Sequence, residues 1–306
     1  MTLLNRGTRR PRDGVRTLHG DREAADPAGG LAALEGGSWD LAVDTWSGAP
    51  RVVRAAVRSL ADRVGHWTYV SSRSVHRLPL PPGADETAPL VAASADAGPG
   101  PYAENKRGAE LAVAEVFGDR ALLLRAGLIL GRYENAGRLP WWLRRFARGG
   151  RVPVPGPPES GLQFIDVRDL AAWALDAASA GLGGAYNTVS RPGHGTMGGL
   201  VESCLRATGA AAEPVWVTPK DVAAAGVEPW TELPVWLPPG GLHDTLHQGD
   251  TERAHAAGLR CRPLDETVRD TWRWLAAHPS WSPKRPPGGG GAGLTPAREA
   301  ALLAPG

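Results

Sequence analysis

The sequence predicts an α/β protein built on a doubly wound parallel sheet, with a smaller C-terminal region beside it. Three observations predict it. Short apolar runs alternate with helical stripes over the first two-thirds of the chain. Several of these runs are β-branched or aromatic, and Gly- or Pro-rich stretches punctuate the chain between them. The 306 residues are 42% hydrophobic and 22% charged, enough for a core with a second region attached.

Residues 2–4 and 15–18 read as short strands. Residues 39–44 (WDLAVD) follow a Gly pair and read as a third. Residues 50–64 carry Val52, Val53, Ala56, Val57, Leu60 and Val64 at helical spacing. Residues 66–71 (HWTYVS) are aromatic and β-branched, hence a strand. The Pro-, Gly-, Ala- and Asp-rich stretch 77–100 is a long loop, a place where function collects. A helix over 102–117 and a strand over 120–124 follow. This alternation implies parallel βαβ units with helices on both faces. Beyond residue 126 the pattern loosens. Helices are predicted at 139–148, at 167–178 with Asp166 as N-cap, at 197–207 behind Thr196, and at 264–277. A short strand is predicted at 185–188. Trp216, Trp230 and Trp236 lie among prolines in 213–240, which reads as a folded lid. Residues 279–293 form a Pro/Gly linker, and Thr295 with Pro296 opens a last helix. The expected division is a sheet region over 1–170, re-entered around 185–190, a C-terminal region over 171–278, and the appendage 279–306.

Lys and Arg total 34 against 32 Asp and Glu, a formal charge of +2, which argues against a nucleic-acid partner. No apolar run reaches the ~18 residues of a membrane span. The first residues, MTLLNRGTRRPR, have no apolar signal region. Two cysteines, Cys204 and Cys261, fit a reducing cytoplasm and buried structural thiols. His243 and His247 are four residues apart but lack the adjacent Glu of a zinc hydrolase. They are expected on the surface, and no metal site is predicted.

The chemistry concentrates in Tyr102-Ala-Glu-Asn-Lys106. On a helix, positions i and i+4 share a face. An ammonium within ~4–6 Å of a phenol favours the phenolate and suits it to general acid/base work. With four tyrosines and three lysines in the chain, this spacing seldom arises by chance. The plainer alternative is a solvated helix with a Lys lying over a Tyr ring. The strand over 66–71 runs into Ser71-Ser72-Arg73-Ser74, at the sheet edge where open α/β folds bind ligands.

The ordered series YVSSRSVH (69–76), YAENK (102–106), RAGLILG (125–131) and QFIDVRDLA (163–171) resembles the extended short-chain dehydrogenase/reductase family, in its NAD(P)-dependent epimerase/dehydratase-like branch. The resemblance runs from about residue 2 to 278. It implies a Rossmann-like sheet and a Ser–Tyr–Lys site that moves hydride between a nicotinamide and a sugar-nucleotide-like or secondary alcohol substrate. Ser72 matches the catalytic hydroxyl, Tyr102 the acid/base, and Lys106 the residue that also binds the nicotinamide ribose. Asn5 and Arg6 match the adenosine-ribose position, Asp21 an adenine-contacting acid, and Asp44-Thr45-Trp46-Ser47 the turn along the ribose and phosphates. Gly127 matches the segment that approaches the nicotinamide, and Arg125 a substrate contact. Arg6, with Arg9 and Arg10, favours NADP over NAD, against the reading of a solvated basic run. Trp46 is bulkier than the family's usual residue there. Asp166 and Arg168 match a mostly structural motif. Among Trp141, Trp142, Trp216, Trp230 and Trp236, Trp142 is the candidate for stacking on a substrate ring; the plainer reading is that these tryptophans fill a core.

The resemblance also implies a first strand and a glycine-rich turn ahead of residues 2–4, and neither is in the sequence. Two explanations stand: a recorded start that is too late, or a truncated Rossmann-like chain with weakened NADP or NAD binding. Without the first βα unit, the strand over 2–4 pairs directly with 39–44 or leaves an open seam. Ser72 is followed by Arg73-Ser74 where family dehydratases carry Asp-Glu, which disfavours dehydration and leaves epimerase or reductase chemistry. The alternative function is a non-catalytic scaffold, a sensor or an RNA-binding protein. Family members often form homodimers through helices matching 50–64 and 102–117.

Overall fold

The first apolar runs form the strands they predict. The structure, a computed structural model, describes residues 1–8, 13–23, 29–284 and 292–304. Arg9, Arg10 and part of the expected 279–293 linker lie outside the described residues. In chain order the elements are β1 (Thr2–Asn5), β2 (Arg16–His19), β3 (Trp39–Asp44), α1 (Pro50–Ser59), β4 (Val64–Ser72), α2 (Tyr102–Phe117), β5 (Ala121–Ala126), β6 (Leu128–Leu130), α3 (Arg138–Ala147), β7 (Gly150–Pro155), β8 (Gly161–Leu162), β9 (Phe164–Asp166), α4 (Val167–Ser179), β10 (Gly184–Thr188), β11 (Gly195–Thr196), α5 (Met197–Thr208), β12 (Ala212–Val217), α6 (Pro219–Ala224), β13 (Pro229–Trp230), β14 (Leu233–Pro234), α7 (Gly241–His247), α8 (Glu252–Ala256), α9 (Leu264–Ala277) and α10 (Pro296–Leu303). They form two compact units. The first comprises Met1–Arg77, Pro89–Arg125 and Ala174–Tyr186; the second comprises Leu78–Ala88, Ala126–Trp173 and Asn187–Gly306.

The first unit holds the α/β sheet in the order β10-β5-β4-β3. β3 and β4 are parallel, with Asp44 opposite Tyr69. α1 and α2 form the crossovers and pack on each other. β1 and β2 form a separate parallel pair, with Leu4 opposite Leu18. Among the described residues β1 does not pair with β3, so of the two arrangements expected the structure has the open seam. Leu4 and Leu18 still pack on the core of Val53, Val57, Trp67, Tyr69, Val113 and Phe117. The helix expected over 50–64 stops at Ser59 because Val64 is drawn into β4, opposite Trp39. Arg63 closes the gap by donating to the carbonyls of Leu34, Gly37 and Ser59.

The stretch 77–100 has no helix or strand of its own and divides between the units. Residues 78–88 belong to the second, where Leu80 N–H donates to Thr245 Oγ1 and Gly83 N–H to the Gln248 carbonyl. Residues 89–100 belong to the first, where Val91 N–H donates to the Val75 carbonyl and Arg51 N–H to the Ala97 carbonyl. Gly108 allows α1 to approach α2: a Cβ there would overlap the Ser94 carbonyl oxygen and the Pro50 ring. Gly108→Ala is therefore expected to cost about 1–3 kcal/mol despite alanine's better helix propensity, measured by urea unfolding.

The second unit corrects three expectations. Beyond the segment Leu78–Ala88 it takes up the chain at Ala126, well before residue 170, because β6 pairs with β9 inside it. It is the larger unit, not the smaller. The stretch 213–240 is packed structure and not a lid: β12 runs parallel to β7 over six register pairs, and Trp236 is fully buried with its indole N–H on the Gly156 carbonyl. Its core joins Trp142, Phe146, Phe164, Met197, Trp236 and Trp274. The capping expectations fit: Asp166 accepts from Arg168 N–H, Thr196 from Gly199 N–H and Thr295 from Arg298 N–H.

His243 and His247 are buried, not on the surface. Each satisfies backbone: Gln163 N–H donates to His247 Nδ1, and His243 Nε2 bonds the Gly161 carbonyl. Burial pushes the Cys204 thiol up, and the half-buried Cys261 thiol up to about 12, so neither is an activated nucleophile. Among the described residues no three His, Cys, Asp or Glu side chains gather as a metal site, and no helix is long and apolar enough to cross a membrane.

Candidate active site

Helix α2 buries one stripe: Lys106, Ala109, Glu110, Val113 and Phe117. Two of these are charged, on a face that should be apolar. Burying a charge is costly unless it is paired or hydrogen-bonded: Glu110 is paired with Arg107 and Arg125, and Lys106 donates to two backbone carbonyls. Tyr102, one turn ahead of Lys106, opens the helix and is half exposed. Asn105 fixes where the helix starts, since its side-chain amide bonds both the N–H and the carbonyl of Gly100.

The Lys106 ammonium donates to the Trp46 carbonyl and the Val70 carbonyl, each at 2.7 Å, and lies 4.8 Å from the Tyr69 ring centroid. It is thereby tied to the C-terminal end of β4, two residues before Ser72. Burial pulls its pKa down; Asp44 and Glu110 oppose that, leaving it at about 8. An ammonium has three N–H donors, so two fixed carbonyls leave one for a ligand. The Tyr69 hydroxyl donates to the same Trp46 carbonyl at 2.8 Å. Burial, with the charges of Asp44, Tyr102 and Glu110, pushes that phenol well above its ordinary range, so it stays a donor. Ser72 sits at the end of β4, where its Oγ accepts from Ser74 N–H and lies 3.1 Å from Ser74 Oγ. Ser72, Tyr102 and Lys106 thus belong to one unit, at the end of β4 and the start of the helix packed on it.

The expected dinucleotide residues of this unit also stand at strand C-terminal ends, where open α/β sheets bind ligands. Asn5 closes β1, its side chain accepting from Gly7 N–H. Arg6 is exposed, 4.0 Å from Glu23. Asp21 follows β2 and accepts from Glu23 N–H. Thr45 is exposed on the turn after β3, next to Trp46. These groups suit a ribose and its phosphate. A diphosphate is held best by a glycine turn leading into a helix N-terminus. Among the described residues β1 and β2 are followed by no α-helix. The residues present therefore fit the ribose ends of a dinucleotide better than its centre.

Two expected substrate contacts are corrected. Trp142 is fully buried in the second unit's core, with its indole N–H on the Pro234 carbonyl, and offers no face to a ligand. Arg125 is buried and commits its Nε and Nη2 to Glu110, at 3.0 and 3.1 Å. Gly127 lies in the second unit, where a Cβ would overlap the Val189 side chain; close packing accounts for the glycine.

Glu110, Arg22 and Tyr69 were not assigned roles from sequence, and Asp44 was placed only in the turn along the cofactor's ribose and phosphates. Glu110 gathers Arg125, Arg107 and the Ser71 hydroxyl. Asp44 takes both Arg22 nitrogens at 2.9 Å and the Trp46 N–H at 2.9 Å. Glu110 had a signal, since it repeats the i+4 spacing from Lys106. The contacts of Arg22, Asp44 and Tyr69 become visible only when the loop after β2 meets the C-terminal ends of β3 and β4.

No protein-family model and no characterised protein sequence matches the chain. Solved structures do. UDP-glucose 4-epimerase of Thermus thermophilus, complexed with NAD, superposes with a TM-score of 0.62 at 17% identity, covering 90% of this chain and 91% of that one. The Bordetella bronchiseptica enzyme WbmH, in complex with NAD+, gives 0.63 at 17% identity, covering 90% of each. A GDP-L-fucose synthetase from Naegleria fowleri bound to NADP gives 0.63 at 10% identity, covering 89% and 87%. The chain thus shares the Rossmann-like α/β fold of these structures over about 90% of its length.

Proposed function

We propose that the chain is an NAD(P)-dependent oxidoreductase or epimerase acting on a sugar-nucleotide-like or secondary alcohol/carbonyl substrate, with NADP the preferred dinucleotide. One observation carries this reading: a lysine ammonium, buried and aimed by two carbonyls, one turn behind a half-exposed tyrosine at the end of a parallel strand. When bound, the nicotinamide supplies or accepts the hydride. The chain's own residues do the rest. Tyr102 Oη gives a proton to a substrate carbonyl oxygen, or takes one from a hydroxyl. Lys106 holds positive charge beside that phenol and offers its remaining N–H to a ribose hydroxyl. The Ser72 hydroxyl orients the substrate oxygen. Arg73 and Ser74 after Ser72 supply no carboxylate for water loss, so dehydration is not part of the proposal.

The test is a fluorescence titration with NADPH and NADH, followed by 340 nm assays over nucleotide-linked 4-keto sugars and simple ketones. Among the described residues no α-helix follows β1 or β2, so NADPH is expected to bind weakly, with Kd on the order of 100 µM or above. Turnover is expected with at least one keto sugar. No cofactor signal, together with RNA binding that falls steeply with salt, would overturn the reading in favour of a non-catalytic nucleic-acid-binding role.

A further inference from the structure

Lys106 is the buried member of only three lysines; Lys220 and Lys284 are exposed. What holds its ammonium is a chain of contacts that begins on the loop after β2. Both terminal nitrogens of Arg22 clasp the Asp44 carboxylate. The Arg22 guanidinium also lies over the Trp46 ring, 5.1 Å from its centroid. Asp44 Oδ1 accepts Trp46 N–H, and Trp46 Nε1 donates to the Ala49 carbonyl, so the turn from β3 to α1 is fixed at both ends of that residue. The turn presents the Trp46 carbonyl to Lys106.

We propose that Asp44, locked by Arg22, is the positioning residue of this site: it shapes the turn whose Trp46 carbonyl holds the Lys106 ammonium, and it supplies the negative charge that faces that ammonium. The catalytic consequence rests on the reading of Lys106 given above; the positioning does not. The other groups around Lys106 are Tyr69 from β4 and Glu110 from α2, with Tyr102 one turn earlier on the same helix. Glu110 is already matched by two guanidiniums, Arg107 and Arg125. Asp44 is matched by Arg22 alone, so removing either charge of that pair leaves a net change beside Lys106. Arg22, the Trp46 N–H and Lys106 outweigh burial and keep the Asp44 carboxyl below the ordinary carboxylate range, so it is charged.

Three lysines make the test direct. In protein carrying 13C,15N-lysine, the side-chain signals are followed by NMR against pH, and the Lys106 signal is assigned by its loss in Lys106→Met. One lysine is expected to titrate near 8 in the native chain. Asp44→Asn is expected to lower that midpoint by about one pH unit, a tenfold change. Asp44→Glu, which keeps the charge, is expected to restore most of it. Arg22→Met unmasks the carboxylate and is expected to raise the midpoint. A purely structural role moves both variants the same way; opposite directions mark the electrostatic one. Should Asp44→Asn fail to fold, the Arg22→Met arm decides alone. An Asp44→Asn midpoint unchanged from the native value, or Arg22→Met lowering it, overturns the proposal. The titration needs neither cofactor nor substrate. Shifted midpoints in a chain that turns over nothing would therefore overturn the functional reading and leave the positioning intact.

Discussion

Tyr102→Phe is expected to lower turnover by about 10²–10⁴-fold, the range lost with a positioned general acid/base. The substitution removes one hydroxyl from a half-exposed side chain at the first residue of α2. Stability should therefore change little, within about 0.5 kcal/mol. Activity and urea unfolding measured on the same preparation separate the two effects. The native pH profile carries the same argument. Lys106 must be an ammonium to support the phenol, so the rate should fall as pH rises through about 8. Stability moves the other way. The folded Lys106 pKa lies below the ordinary 10.5, so between about 8 and 10.5 the unfolded chain holds a proton that the folded chain has lost. The Lys106 contribution to stability therefore rises with pH across that window. A rate that stays flat from pH 7 to 10 would remove Lys106 from the mechanism.

Glu110→Ala is expected to cost about 3–5 kcal/mol, the largest stability loss anticipated for a single polar substitution here. Glu110 is fully buried and accepts from Arg125 Nε and Nη2, Arg107 Nη1 and Ser71 Oγ. Removing it strands the Arg125 guanidinium, itself buried, without its carboxylate. The loss comes mainly from that uncompensated charge, not from the pair's own net worth. Glu110→Gln keeps shape and hydrogen-bond acceptance and should cost less. Urea unfolding of both variants, with the midpoint and slope compared, checks the order. A loss below about 1 kcal/mol in Glu110→Ala would mean that water reaches and solvates the Arg125 guanidinium.

Much of the first unit was legible in sequence because its signals are local. β3 and α2 occupy the residues their patterns indicate, and the Tyr102–Lys106 spacing marks the end of α2 proposed to carry the chemistry. The i+4 rule works there because both residues lie in one helix. Arg125 was misjudged for the opposite reason. Its strand neighbours are apolar, and nothing local shows that a carboxylate fifteen residues earlier reaches it. Trp142 was the candidate for stacking among scattered tryptophans; the plainer reading, that it fills a core, holds because α3 turns it inward. The second unit was harder to read because its strands are two to six residues long and pair across large sequence distances, as β7 does with β12. His243 and His247 were assigned to the surface on residue type alone, whereas α7 uses them to satisfy buried backbone groups.

Tyr102 and Lys106 are proposed to face the reacting end of a dinucleotide, and a crystal structure grown with saturating NADP+ decides it. The nicotinamide ribose is expected within hydrogen-bond distance of Lys106 Nζ, with Tyr102 Oη and Ser72 Oγ beside the ring. A dinucleotide bound elsewhere, with the Lys106 contacts to Trp46 and Val70 undisturbed and Tyr102 turned to solvent, would contradict it.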